Sequence, residues 1–361
     1  MIIGVPREIK EGETRAAITP AGVQTLTAHG HRVIVQEGTG VQSGVDDGEY
    51  AAAGAELVEA LAAVYARAEL ILKVKEPLRP EWSLLRRGQV LFTYLHLASS
   101  EALTQALVRA GVTAIGYETI RDASGNLPLL TPMSEIAGKI AVQEAAWCLK
   151  GHNGGRGILV GGVPGVPPAE AVIVGAGSVG TSAVRVAMGL GAHVTILDVN
   201  QERLRYLDDI MHGNCITVYS DPVTLRRAVA YADILIGGVL IPGARAPKLV
   251  TADMVAQMKP GSVIVDVAID QGGCVETSQI TTHDQPFVAK HGVLHYGVPN
   301  MPAAVPRTST FALTNATTRY VVAIADHGLE EAAERDPGIA AGINVRDGEI
   351  VHPAVRAAFG Q

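Results

Sequence analysis

One stretch constrains this chain more than any other. Residues 171–198 read A-V-I-V-G-A-G-S-V-G, then an alanine-rich helical run, then H-V-T-I-L-D. Val172, Ile173 and Val174 form an uninterrupted apolar run, as a parallel strand buried on both faces does. Gly175, Gly177 and Gly180 follow as G-x-G-x-x-G at the predicted strand-to-helix turn. The first glycine permits the tight turn, the second lets a pyrophosphate approach the backbone, and the third lets helix and strand pack closely. Amides at the start of the helix then face the phosphates, and the helix dipole favours negative charge there. A second apolar strand, Val194–Leu197, ends in Asp198, whose carboxylate can accept hydrogen bonds from an adenosine ribose diol. A glycine-rich turn alone says little, but here the strand, the helix and an acid about 20 residues further on all agree. The stretch predicts a nicotinamide dinucleotide site. Asp198 repels a 2′-phosphate, which favours NAD over NADP; Arg203, nearby, is the residue that weighs the other way.

The rest of the composition narrows the class. At 361 residues the chain suits two domains better than one, and 48% hydrophobic against 18% charged residues is ample for two cores. A net charge of −7 without a basic block argues against nucleic acid or an anionic membrane as the main partner. The three cysteines, Cys148, Cys215 and Cys274, are far apart and form no C-x-x-C pair. That speaks against a disulfide framework or a zinc site and fits a reducing cytoplasm. No signal peptide or membrane span is expected, since no stretch of about 18 residues is apolar without charges or clustered prolines. His283, His291 and His295 are too loosely spaced to predict a metal site.

Ahead of the dinucleotide stretch, short apolar strands alternate with helices. Strands are expected at Ile2–Val5, Arg32–Gln36, Leu70–Lys75 and Val90–Tyr94. One helix opens at Pro20 behind a Thr19 cap and closes at Gly30; another runs from the Ser100 cap to Ala110 and ends at Gly111. Such alternation implies a mostly parallel sheet with covering helices. Residues 131–150 read as a long helix connecting two domains. Beyond the dinucleotide stretch, strands at Ile216–Ser220, Ile234–Gly237 and Val263–Asp266 bring the second sheet to about five or six. A further helix is expected at Phe311–His327, stopped by Gly328, and the segment R-D-G-E-I-V reads as a hairpin. The expected architecture is α/β, with two Rossmann-like doubly wound domains separated by an active-site cleft. The first is discontinuous, residues 1–130 plus 305–361, and carries substrate and catalysis; residues 131–304 bind the dinucleotide.

Ligands of open α/β sheets bind beyond the carboxyl ends of the strands, and four ionisable residues fall there. Arg15 lies between the first strand and the Pro20 helix, Lys75 ends L-I-L-K-V-K, His96 follows V-L-F-T-Y-L, and Asp270 follows V-I-V-D-V-A-I. Each has a plainer reading: Arg15 as a solvated loop residue, Lys75 as an edge-strand lysine that discourages aggregation, His96 as a satisfied half-buried histidine, Asp270 as a loop cap. Their shared position favours chemistry. Hydride transfer from a carbon bearing an amine or hydroxyl needs a group that takes and returns a proton near neutrality, which suits histidine. A carboxylate substrate calls for arginine's bidentate fork, and a lysine adds a point charge. A carboxylate near water helps if an imine must be hydrolysed. The set predicts a dehydrogenase of a small 2-amino or 2-hydroxy acid, and spacing does not choose between the two.

Longer motifs carry more. The opening I-I-G-V-P-R-E-I-K-E-G-E-T-R, with L-K-V-K-E-P, L-F-T-Y-L-H-L-A, P-L-L-T-P-M-S-E-I-A-G, V-D-V-A-I-D-Q-G-G, H-Y-G-V-P-N-M-P and T-S-T-F-A-L-T-N-A-T, resembles the alanine dehydrogenases over nearly the whole chain. The resemblance implies NAD-dependent deamination of L-alanine to pyruvate and ammonium, and the reverse. It implies a carboxylate clamp at Arg15 and Lys75, an acid–base histidine at His96 and an acidic partner in imine chemistry at Asp270. It further implies dinucleotide contacts at Ser134, Ser178, Val179, Asp198, Arg203, Ser220, Val239, Leu240, at Val267, Ala268, Ile269 and Asp270, and at Val298, Pro299, Asn300 and Met301. Members of that family are usually homohexamers. Two other readings share the architecture: the NAD-binding subunit of a proton-translocating transhydrogenase, and a non-catalytic NAD(H)-binding protein. The first carries an Arg- and Gln-bearing segment where this chain has P-L-L-T-P-M-S-E, and the second has no use for Arg15, Lys75, His96 and Asp270 together.

Overall fold

The structure, a computed structural model, describes residues 1–239 and 246–360. The chain divides into two compact units, Met1–Met133 with Ala303–Gln361, and Ser134–Pro302. In the first, six strands run parallel: β1 (Ile2–Val5), β2 (Arg32–Gln36), β3 (Glu56–Val58), β4 (Leu70–Leu72), β5 (Val90–Thr93) and β6 (Thr113–Gly116). Their spatial order is β3-β2-β1-β4-β5-β6, the doubly wound arrangement. Strands Ile343–Arg346 and Glu349–Ile350 then extend the sheet antiparallel beyond β6. They are joined through Asp347 and Gly348, with φ of 52° and 83°. Two successive positive φ values are what a tight hairpin turn needs, and Asp-Gly supplies them at low steric cost.

In the second unit the strands are β7 (Glu170–Val174), β8 (His193–Asp198), β9 (Ile216–Tyr219), β10 (Ile234–Gly237), β11 (Val263–Asp266), β12 (Phe287–Lys290) and β13 (Val293–Tyr296). The order β9-β8-β7-β10-β11-β13 repeats the doubly wound pattern, and β12 pairs antiparallel with β13 at the edge. The sheet has seven strands where the sequence names five: β12 is half-exposed and lacks the apolar run of its neighbours, and β13 is buried but short and interrupted by His295. Central strands are dry: Val172 and Ile173 are wholly buried, as are Ile234, Leu235 and Ile236. Both units are Rossmann-like, as expected.

Helix ends follow their capping chemistry. The Thr19 hydroxyl accepts from the Gly22 amide ahead of helix Pro20–Ala28, and Ser100 caps Glu101–Ala110, which Gly111 ends at φ 65°. The helix expected at Phe311–His327 starts five residues earlier, because Pro306 occupies a first-turn position. Gly328 does break the helical geometry, with φ 76° and ψ 162°, yet helix resumes and continues to Arg335. The strand expected at Leu70–Lys75 ends at Leu72. Among the described residues no helix is long and apolar enough to cross a membrane.

Candidate functional site

The glycine loop lies at the carboxyl end of β7, beside the point where strand order reverses between β7 and β10. Gly175 has φ 102°, open to glycine and costly for other residues. A Cβ on Gly180 would lie 1.8 Å from the Gly175 carbonyl oxygen, so helix Ser178–Gly189 packs on the turn only with glycine there. A Cβ on Gly177 would meet nothing within 4 Å. No side chain caps this helix, so the first-turn amides of Ser178, Val179 and Gly180 are available to an anion. Gly177→Ala is therefore expected to leave the melting temperature unchanged while weakening NADH binding at least about tenfold, or about 1.4 kcal/mol. Gly180→Ala should instead lower stability, by the ~1–3 kcal/mol typical of overpacking. Calorimetry and NADH fluorescence on both variants check the pair.

Asp198 ends β8 and ties the loop down. Its Oδ2 accepts from the Ala176 amide at 2.5 Å and its Oδ1 from Asn200 at 2.8 Å. Arg203 binds the same loop from the other side, donating from Nε and Nη2 to the Ala176 carbonyl at 3.1 and 3.0 Å. It also reaches the Thr181 hydroxyl at 3.1 Å and stacks over Tyr206 at 4.8 Å. The arginine that weighed toward a 2′-phosphate is thus engaged in holding the glycine loop. Ser220 follows β9 and donates its amide to the Asp198 carbonyl at 2.9 Å. Val239 follows β10 and lies against Gly175; Leu240 falls outside the described residues. Val267, Ala268, Ile269 and Asp270 form the turn after β11, and Val298, Pro299, Asn300 and Met301 follow β13. In a parallel sheet all of these lie along one edge, the carboxyl edge. Ser134 stands about one turn before Gly138 on helix Thr131–Cys148, and Gly138 packs against the Val179 carbonyl.

In the first unit, Arg15, Lys75 and His96 follow β1, β4 and β5, three adjacent strands at that sheet's own reversal point. Arg15 is no solvated loop residue: it is 3% exposed. Its Nε and Nη2 grip both carboxylate oxygens of Glu13 at 2.7 and 2.5 Å, and Nη1 meets the Met133 sulfur at 3.1 Å. Burial works against the charge, but the Glu13 bond holds the guanidinium pKa above its ordinary value. Nor is Lys75 on an edge strand, since β4 lies between β1 and β5. It is half-buried, and Glu8 accepts the Val74 amide at 2.6 Å and the Lys75 amide at 3.4 Å. Lys73 is fully buried between Glu8 and Glu81, at 3.1 and 2.9 Å. Burial alone would discharge it; the two carboxylates hold its pKa above the usual lysine range.

His96 is half-buried in the left-handed region, φ 49° and ψ 39°, which costs a non-glycine residue on the order of 1–3 kcal/mol. Its ring lies parallel to Tyr94, 4° apart in plane and 6.0 Å between centroids. Neither ring nitrogen has a hydrogen-bond partner among the described residues, so the satisfied-histidine reading does not hold. Burial pushes the Tyr94 phenol pKa up, and its hydroxyl donates to the Leu129 carbonyl at 2.6 Å. Tyr94 therefore stays neutral. In the second unit Asp270 is exposed and accepts the Asn300 amide with both oxygens, at 3.2 and 3.1 Å. The loop-cap reading thus fits this contact. Among the described residues no cluster of three or more metal-ligating side chains occurs, and His295 is bonded to Val293 and Thr277.

Three residues that sequence reasoning passed over support the candidate set: Glu13 under Arg15, Glu8 under Lys75, and Glu118 under His96. Only Glu13, two positions from its arginine, leaves a local trace in the sequence.

Two family models cover almost the whole chain: "Alanine dehydrogenase/PNT, N-terminal domain" matches residues 4–137 and "Alanine dehydrogenase/PNT, C-terminal domain" residues 141–353. An alanine dehydrogenase of Bacillus subtilis is 55% identical over 361 residues, 100% of this chain and 95% of that relative. One of Mycolicibacterium smegmatis is 54% identical over 355 residues, 98% and 96% of the two chains. A solved L-alanine dehydrogenase superposes with a TM-score of 0.96 at 51% identity, covering 100% of this chain and 99% of that one. A transhydrogenase from Sinorhizobium meliloti superposes at 0.85 with 27% identity, covering 98% and 100%. With both domains matched and more than half of its residues shared across full-length relatives, the chain belongs to the alanine dehydrogenase/PNT family.

Proposed function

We propose that this protein is an NAD-dependent alanine dehydrogenase, deaminating L-alanine to pyruvate and ammonium and running the reverse reductive amination. The observation that carries the reading is the grouping of Arg15, Lys75 and His96 at the carboxyl ends of three adjacent strands, in a chain 51–55% identical to alanine dehydrogenases against 27% to a transhydrogenase. The glycine loop, uncapped helix and Asp198 fit a nicotinamide dinucleotide, which supplies or takes up the hydride. The remaining chemistry falls to the chain. Arg15 and Lys75 hold the substrate carboxylate. His96 takes the proton that frees the amine and later returns one to departing ammonia. Asp270 offsets the charge of the cationic imine and orients the water that adds to its carbon. In the reductive direction, NADH oxidation by pyruvate should require ammonium; equal rates without ammonium would move the reading to a 2-hydroxy acid. The protein works, on this reading, in the cytoplasm as a homohexamer, checked by light scattering of the purified protein.

The choice of NAD rests on Asp198. Its carboxylate accepts from a ribose diol and repels a 2′-phosphate, while Arg203 is engaged with Ala176 and Thr181. Asp198→Gly should raise the ratio of NADP to NAD kcat/KM at least about tenfold, the equivalent of about 1.4 kcal/mol. Equal use of both cofactors by the unmodified protein would sink the assignment.

A further inference from the structure

We propose that Glu118 is a positioning residue for His96, acting on the backbone that aims the imidazole; this rests on the reading of His96 as the proton carrier. Strands β5 and β6 end together, with Thr93 opposite Gly116. The Tyr94 amide still finds an acceptor in the Val74 carbonyl at 3.2 Å. The next two amides have passed the end of the ladder and would be unbonded. Glu118 lies two residues beyond the end of β6, in the turn Tyr117–Thr119, and receives both. Its two oxygens accept from Leu95 at 3.2 Å each, and Oε1 accepts from His96 at 2.6 Å. On the other side of the residue, Ser99 binds the His96 carbonyl through its amide at 3.0 Å and its hydroxyl at 2.7 Å.

These ties make a left-handed histidine persist. A residue with a Cβ stays in that region only where its surroundings over-determine it. With both peptide groups fixed, the Cα–Cβ direction is fixed, and the ring lies parallel to Tyr94 as found. Proton transfer demands heavy-atom distances within a few tenths of an ångström of about 2.6–3.2 Å. An imidazole whose backbone relaxes toward an ordinary conformation swings out of that range. The hydrogen bonds of Glu118 go to the backbone of the histidine segment and leave the ring nitrogens for the substrate.

The test is steady-state kinetics on the full-length protein with pyruvate, ammonium and NADH. Glu118→Ala should lower kcat by about tenfold to a hundredfold, as misplacement of a reacting group does. KM for pyruvate and NADH affinity by fluorescence should change little, because Arg15, Lys75 and the glycine loop are untouched. Glu118→Gln should recover most of the loss, since its amide oxygen still accepts from N–H groups. In a His96→Ala background, adding Glu118→Ala should have almost no further effect on turnover. If the alanine variant does not fold, Glu118→Asp, one methylene shorter, takes its place. An unchanged kcat, an equal loss in the His96→Ala background, or a glutamine variant as poor as alanine would each overturn the proposal. Full turnover by His96→Ala alone would instead remove the reading beneath it.

Discussion

His96→Ala and Asp270→Ala proteins should bind NADH nearly as well as the unmodified protein and each lose about 10²–10⁴ in turnover. Deamination needs an unprotonated amine before the C–H bond breaks, a water added to the imine, and a proton returned to ammonia. Among Arg15, Lys75, His96 and Tyr94, the imidazole is the side chain whose two ring nitrogens can both accept and donate a proton. Tyr94 is held neutral by burial. Asp270 has a second task, since both its oxygens accept the Asn300 amide. Asp270→Asn separates the two: it keeps an acceptor for that amide and loses the negative charge. It should therefore restore the loop without restoring turnover. The double variant His96→Ala/Asp270→Ala should fall short of the product of the single losses, because groups acting as a unit are non-additive. Half the turnover surviving in His96→Ala would end its assignment as the proton carrier.

Arg15→Lys should raise the apparent KM for both alanine and pyruvate strongly, although the charge is kept. The guanidinium spends one side of its planar fork on Glu13, through Nε and Nη2. An ammonium cannot hold Glu13 in that paired geometry and also present a directed donor to a substrate carboxylate. Truncating one partner of a desolvated charged contact costs about 2–5 kcal/mol, at least tenfold in affinity at about 1.4 kcal/mol per decade. Arg15→Ala should do more. It removes the guanidinium that grips both oxygens of the Glu13 side chain, 0% exposed, and breaking a buried pair typically destabilises by about 3–5 kcal/mol. Denaturant midpoints separate that folding loss from the substrate effect. Unchanged KM values in Arg15→Lys would assign the arginine to structure alone.

Much of this was legible in the sequence because the decisive signals are local. The apolar run Val172–Val174, three glycines and Asp198 lie within one strand–helix–strand unit, and both sheets follow from such units repeated. Lys75 and His96 stood out as candidates because each follows an apolar strand, where parallel sheets hold their ligands. What escaped depends on distant partners. Glu8 meets the amides of Val74 and Lys75 from 66 and 67 residues away, and Glu118 meets His96 from 22. Nothing near either acid marks it as other than a surface carboxylate. The burial of Lys73 is equally illegible locally, since it depends on Glu8 and Glu81 being folded around it. Strands β3, β6, β12 and β13 were missed: β3 and β12 are not fully buried and show no clean apolar pattern, while β6 (T-A-I-G) and β13 (V-L-H-Y) are buried but are four-residue runs interrupted by polar or small residues.

The most direct measurement is NADH formation by the purified protein with saturating NAD and L-alanine, with pyruvate and ammonium assayed alongside. One pyruvate and one ammonium should appear for each NADH, and L-lactate in place of alanine should give none. NADH formation that is independent of alanine, or equally fast with lactate, would contradict the assignment of Arg15, Lys75, His96 and Asp270 to amine chemistry.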